Sequence, residues 1–291
     1  METSELLKKV RKIEIKTKGL SNQIFSGHYH SAFKGRGMAF SEVREYQHGD
    51  DIRSIDWNVT ARYDQAYVKV FEEERELTVM LLVDVSGSGK FGSGEQTKRQ
   101  LMTEISAVLS FSAIQNNDKI GVILFSDRVE KFIPPKKGKS HTLRIIRELI
   151  DFEPEHQGTD IDAALKYFNQ VLKKRSIAFL ISDFMDKGFE DSMRIAKRRH
   201  DLVALRVYDD RETELPNVGM IRLKDAETGA TKWYDSSSQE VRTQFKANNL
   251  KHEGELKEMF NKSGVDTAWI RTDQNYTIPL MNLFKRRESR F

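Results

Sequence analysis

Residues 79–94 read VMLLVDVSGSGKFGSG, an apolar run of strand length that breaks at Asp84 into a turn of glycines and serines. A run without polar alternation suits a strand buried on both faces of a parallel sheet. The turn at its end is the place where such folds hold a phosphate or a metal ion. A phosphate cradle needs G-x-x-x-x-G-K followed by Ser or Thr. Here Gly89-Lys90 is followed by Phe91, and Asp84 occupies the place of the first glycine. Gly138-Lys139-Ser140 has the right ending, yet Ile133 stands where its first glycine belongs. Forcing G-x-G-x-x-G onto Gly87, Gly89 and Gly92 leaves a carboxylate just upstream that would repel a pyrophosphate.

The metal reading uses Asp84, Ser86 and Ser88, which alternate through the turn and offer one carboxylate and two hydroxyls. All are hard oxygen donors. The chain contains 0 Cys and has no His near this turn, so Mg²⁺, Mn²⁺ or Ca²⁺ is favoured over zinc or copper. The alternative is that the two serines only cap the following helix.

Composition narrows the class. A chain of 291 residues can bury a sizeable core. Hydrophobic residues make up 38% and charged residues 32%, and the longest aliphatic stretches are of strand length, so no transmembrane segment is expected. The N-terminal METSELLKKVRKIEIKTKGL is basic but has no apolar run behind it, unlike a secretory signal. With no cysteine for disulfides, this points to a cytoplasmic protein. The balance of 48 basic against 44 acidic residues, net +4, is a mixed charged surface. Its basic clusters are short and scattered, so no nucleic acid partner is expected.

From residue 77 onward, short β-rich runs alternate with helical stripes, the pattern of an α/β fold with a doubly wound, mainly parallel sheet. Strands are expected at Leu77–Val83, Ile120–Phe125, Ile177–Ile181, Leu202–Val207 and Val265–Ile270. Helical faces run through Leu101, Ile105, Val108 and Ser112; through Ile161, Leu165, Phe168 and Leu172; and through Val241, Phe245, His252, Leu256 and Phe260. RVEKFIP (128–134) reads as a short antiparallel edge strand, and a hairpin insertion is expected at about 217–235. Residues 1–76 lack the alternation and form an N-terminal appendage, leaving 77–291 as the α/β domain. The appendage carries KGRGMAFSEVREYQHGDDIRSIDWNVTAR (34–62). Its dense charges (Arg36, Glu42, Arg44, Glu45, Asp50, Asp51, Arg53, Asp56 and Arg62) suit an ion-pair network that clasps the appendage to the rest of the chain.

Ligands of an open parallel sheet collect at the carboxyl ends of its strands. Asp84, Ser86 and Ser88 lie at that edge. LISDF brings Ser182 and Asp183 to it after another strand. QGTDIDAAL brings Thr159 and Asp160 there before a helix. Taken singly, Thr159 suits an N-cap and Asp183 a turn former; His28 and His30, two apart, suit a loop.

In this arrangement the sequence resembles the metal-ion-dependent adhesion site of von Willebrand factor A domains. Asp84, Ser86, Ser88, Thr159 and Asp183 match its five positions in order. The upstream GRGMAFSEVREYQHGDDIRSIDWNVTAR resembles the signature block of the domain of unknown function 58 family, bacterial proteins in which such a block precedes a von Willebrand A-like domain. The chain departs from the wider pattern in having no membrane spans before the block. It also has Gly89 where many such sites place Met, which gives that loop more backbone freedom.

The resemblance implies a Mg²⁺ site (or Mn²⁺/Ca²⁺) and a MoxR-type AAA+ ATPase as partner, with the chain as a non-enzymatic adaptor in client remodelling. Charge counting supports the adaptor reading, because two carboxylates at best neutralise a divalent cation and leave a coordination position for an external Asp or Glu. The alternative is a metal-dependent hydrolase or phosphatase using Asp84 and Asp183. Ser86 stands where a D-x-D-x-T phosphatase loop has its second aspartate, and no nearby His or Lys is an evident base, since Lys90 lies beyond the turn. A last helix is expected around Tyr276–Phe284.

Overall fold

The protein is described from a computed structural model covering residues 38–63, 65–73, 77–94, 96–224 and 229–290. It divides into two compact units between Leu77 and Thr78.

In the smaller unit, β1 (Met38–Glu45) pairs antiparallel with β2 (Tyr67–Glu73), and α1 (Trp57–Tyr63) lies between them in the chain. The sequence reading gave no strands in this segment. The register shifts between Phe40 and Glu42, and such a bulge breaks the alternation that would have revealed β1. The charged block pairs within the unit. Arg44 grips Asp50 through both carboxylate oxygens at 2.7 and 2.8 Å, which lowers the Asp50 pKa. Asp51 accepts from the Arg53 N–H, and Lys69 lies 3.3 Å from Asp56. The expected pair of His28 and His30 lies outside the described residues.

The larger unit is built on a six-stranded sheet of order β10-β7-β6-β3-β4-β5. Its strands are β3 (Thr78–Asp84), β4 (Lys119–Phe125), β5 (Val129–Lys136), β6 (Ile177–Ser182), β7 (Asp201–Tyr208) and β10 (Asp266–Arg271). All neighbours are parallel except β5, which runs antiparallel at one edge. Val79, Met80, Leu81 and Leu82 are wholly buried, as a central strand covered on both faces requires. At Gly121 a Cβ would meet the Met80 sulfur at 2.7 Å and the Ile133 carbonyl oxygen at 2.8 Å, so only glycine lets β4 lie this close to its neighbours. The hairpin β8 (Met220–Lys224) and β9 (Thr231–Asp235) pairs antiparallel outside the main sheet.

The short α6 (Asp210–Thr213) follows β7. Helices cover both faces. On one, α4 (Ile161–Val171), α5 (Glu190–Arg199) and α7 (Gln239–Ser263) pack Leu165, Phe168, Met193, Leu256 and Phe260 against Met80, Leu82, Ile123 and Phe125. The stripe expected on α7 is buried only toward its C-terminal end, at Leu256 and Phe260; Val241 and Phe245 are half-buried. The helix stops at Gly264, whose φ of 65° provides the left-handed cap. On the other face, α2 (Lys98–Gln115) packs Phe111 against Ile146 of α3 (Lys139–Asp151). Ser106 and Ser110 are buried there and donate to the carbonyls four residues back at 2.7 Å, so these two hydroxyls stay paired when α2 is enclosed; the buried Ser112 hydroxyl has no partner among the described residues. The last helix, α8 (Thr277–Glu288), is fastened by Arg287 to Asp201 and Asp266.

Candidate metal centre

Sheet register places the expected residues together. Asp84 ends β3 beside Phe125 of β4, and Val83 pairs with Ile181, so Ser182 and Asp183 emerge next to Asp84. Asp84 is buried, and its two oxygens accept from the Ser86 N–H at 2.9 Å and the Ser182 hydroxyl at 2.6 Å. The Ser86 and Ser88 hydroxyls are 3.1 Å apart, and Ser88 also hydrogen-bonds Asp183. Four of the five expected residues therefore form one connected group.

The fifth arrives by its loop. The Gly87 N–H donates to the Gln157 carbonyl at 2.9 Å, and the Asp160 N–H to the Ser126 carbonyl at 2.8 Å. These bonds tie the segment bearing Thr159 to the loops after β3 and β4. Asp160, not Thr159, caps α4, accepting from the Ala163 N–H at 2.7 Å. The N-cap reading of Thr159 is thus corrected. Gly87–Lys90 is a single 3-10 turn, and Gly89 adopts no left-handed angle in it; the freedom expected at Gly89 goes unused.

Three further residues shape the group. Lys98, the first residue of α2, is fully buried, with its ammonium 2.7 Å from Asp183 Oδ2 and 2.6 Å from Glu212 Oε1. It is positioned by the Thr97 capping box at the start of α2 and by its own N–H bonded to the Phe91 carbonyl. Phe184 follows Asp183 with a φ of 58°, a conformation costly for a bulky side chain. Its wholly buried ring, edge-on to Phe260 at 5.2 Å, holds it there. Asp209, at the end of β7, accepts from the Ser93 N–H and hydroxyl and from the Thr272 hydroxyl at 2.6–2.9 Å. It thereby pins the loop between β3 and α2.

The electrostatics are unequal. Burial, then the neighbouring Asp183, push the Asp84 pKa up to about 7. For Asp183 burial acts upward too, but the Lys98 ammonium outweighs it and the pKa falls below the ordinary value. Burial alone would lower the Lys98 pKa; Asp183 and Glu212 reverse that and raise it. Lys98, which the sequence reading did not single out, stands at the site, and a raised pKa makes a lysine a poor base.

A sequence profile described as "Protein of unknown function DUF58" matches residues 42–255. The chain belongs to this family. An uncharacterized protein of Mycobacterium tuberculosis is 27% identical over 290 residues, covering 99% of this chain and 91% of its own length. The Bacillus subtilis protein YeaD is 27% identical over 109 residues, 38% of this chain and 25% of its own length. Among solved structures, an aerotolerance-related membrane protein from Bacteroides fragilis superposes with a TM-score of 0.50 at 16% identity, covering 74% of this chain and 100% of that one. This likeness concerns the fold, which is α/β, doubly wound and von Willebrand A-like. Among the described residues of this DUF58 chain, no helix is long and apolar enough to cross a membrane.

The donors suit a hard divalent cation. Asp84 is a buried carboxylate whose hydrogen bonds come from the neutral Ser86 and Ser182, so nothing in that shell balances its charge. Asp84, Asp183 and Glu212 stand against the Lys98 ammonium and the buried Arg206 guanidinium, which bonds the Asp183 carbonyl at 3.3 Å, so the group is net negative when Asp84 is ionised and favours a cation. Asp84, Ser86 and Ser88 offer oxygen donors on one loop. Asp183 has one oxygen committed to Lys98. Sequence reasoning missed Lys98 and Glu212 because their partners lie 85 and 114 positions away along the chain; a lone basic residue at a helix start carries no local signal of burial.

Proposed function

We propose that this DUF58 chain is a divalent-cation-dependent protein-interaction module, acting in the cytoplasm as a non-enzymatic adaptor for a MoxR-type AAA+ ATPase. The observation that carries the reading is Asp84, a buried carboxylate bonded by neutral groups and set beside two hydroxyls, where a hard cation would relieve an uncompensated charge. On this reading Asp84, Ser86 and Ser88 hold Mg²⁺, Mn²⁺ or Ca²⁺, with Thr159 and Asp183 completing its surroundings. The bound ion supplies a Lewis-acidic point to which a carboxylate can attach. Once the site's charge is cancelled, that carboxylate comes from outside, as an Asp or Glu of the partner. The charged state of Lys98 supports an adaptor over a hydrolase, since the lysine within reach has no free pair with which to take a proton.

Calorimetric titration of Mg²⁺ and Mn²⁺, with Asp84→Ala as control, tests the site. Saturable binding that the variant loses is the expected result. Capture of a MoxR-type AAA+ ATPase, in Mg²⁺ and in chelator, then tests the partner; a complex indifferent to chelator would refute ligation in trans.

A further inference from the structure

Lysine is among the residues least often buried completely, and only when paired. Lys98 is completely buried, and it is paired within the group proposed to take the metal. Its ammonium donates to Asp183 Oδ2 at 2.7 Å and to Glu212 Oε1 at 2.6 Å. The other Asp183 oxygen accepts from the Met185 N–H at 3.3 Å, and the Ser88 hydroxyl adds a further bond to the carboxylate. Asp84 differs: its hydrogen bonds come only from neutral donors, the N–H and side chain of Ser86 and the Ser182 hydroxyl. The two carboxylates are therefore not equivalent toward a cation. Asp84 has no cation of the protein competing for it, whereas Asp183 must be shared with a positive charge that the protein itself supplies.

We propose that Lys98 is a built-in competitor for Asp183 that holds the cation affinity of the site down, so that the ion is retained firmly only when a partner's carboxylate joins it. The inference rests on the metal reading above and adds the residue that tunes it. Lys98 sits at the first turn of α2, its backbone fixed by the capped helix start and by its N–H bonded to the Phe91 carbonyl, and its enclosed ammonium is held between Asp183 and Glu212. Glu212 is the counterweight. It shares the ammonium with Asp183, and without it the whole positive charge would fall on Asp183. Lys98 is a positioning residue here: it touches the ligand carboxylate, not the ion.

Two variants move affinity in opposite directions. Lys98→Met with Glu212→Gln removes one charge of each sign, so the net charge of the group is unchanged and only Asp183 is released. Glu212→Gln alone leaves Lys98 entirely to Asp183. Mn²⁺ titration by calorimetry of both variants, the parent chain and Asp84→Ala, with thermal melts to verify folding, gives the readout. The double variant is expected to bind Mn²⁺ on the order of tenfold or more tightly, the scale on which outer-shell groups act, and Glu212→Gln more weakly than the parent. Saturable binding by the parent, lost in Asp84→Ala but no tighter in the double variant, overturns the role of Lys98 and leaves the metal site standing. Binding by the double variant where the parent shows none supports the role directly. No binding by either overturns both. If the double variant does not fold, Glu212→Gln decides alone: affinity equal to or above the parent's overturns the proposal.

Discussion

Replacing Asp84 by asparagine should make the cation-free protein more stable at neutral pH, the reverse of what a buried polar substitution usually does. The Asp84 carboxyl has an ordinary value of 3.8 and is raised to about 7 in the fold, by burial first and by Asp183 second. A carboxyl whose folded pKa is raised holds its proton in the folded state after the unfolded chain has released it. Stability therefore falls as pH rises from about 4, and the loss is complete above about 7. At about 1.4 kcal/mol per pH unit, that span sets a ceiling of about 4 kcal/mol on the penalty. Asparagine removes the charge and keeps an oxygen for the Ser86 N–H. Its amide must then donate to Ser182, whose hydroxyl already accepts from the Phe184 N–H at 3.0 Å, and turning that hydroxyl forfeits about 1 kcal/mol or more. A net gain of about 1–3 kcal/mol remains, worth roughly 2–4 °C in melting temperature for each kcal/mol. Thermal melts in chelator at pH 4.5, 6 and 8 should show a gap between Asp84→Asn and the parent that widens with pH. Added Mg²⁺ should raise the parent's melting temperature and leave the variant's alone. A variant no more stable than the parent at pH 8, or a gap indifferent to pH, would refute the claim that Asp84 lacks a counter-charge.

Lys98→Met alone strands two carboxylates, one of them fully enclosed, and should cost about 3–5 kcal/mol by denaturant melts; adding Asp183→Asn should restore most of that. Asp209 is held down to about 2, its hydrogen bonds from Ser93, Thr272 and Arg211 overcoming the upward effect of burial. Its contribution is thus present above about pH 4 and lost as pH falls toward 2. Asp209→Ala should lower stability at pH 7 by about 2–4 kcal/mol and weaken Mn²⁺ binding, because the loop after β3 loses its anchor. Phe184→Ala should cost about 3–5 kcal/mol in urea. Phe184→Gly should be no worse than Phe184→Ala, since glycine accepts the φ of 58° without strain; a glycine variant clearly less stable would mean that the backbone there is unstrained.

The sheet was legible from residue order because each parallel strand is an unbroken apolar run. The expected Leu77–Val83 and Ile120–Phe125 differ from the observed strands by one residue, and RVEKFIP runs antiparallel at the edge as its polar alternation requires. The hairpin after residue 217 showed itself by its turn residues. The segment from 139 to 151 did not read as a helix, since its apolar contacts, Ile145, Ile146 and Leu149, stand among charged neighbours. At the site, Asp84, Ser86, Ser88 and Asp183 were legible because a loop motif and a strand end are local features. Lys98, Glu212 and Asp209 were not, because their meaning comes from partners 63 to 116 positions away. The cap of α4 was misplaced by one residue because Thr159 and Asp160 are adjacent residues of capping type, of which Asp is the stronger.

The separation of these partners along the chain has a bearing on when the site exists at all. Ser93 meets Asp209 across 116 positions, Lys98 meets Glu212 across 114, and Ser182 meets Asp84 across 98. Contacts of such long range form late, after the intervening strands have docked. A half-made chain, or one with β6 or β7 out of place, has the loop after β3 but not the group around it. On the proposed reading, a partner that grips the cation would select finished molecules, and the site would double as a mark that the sheet is complete.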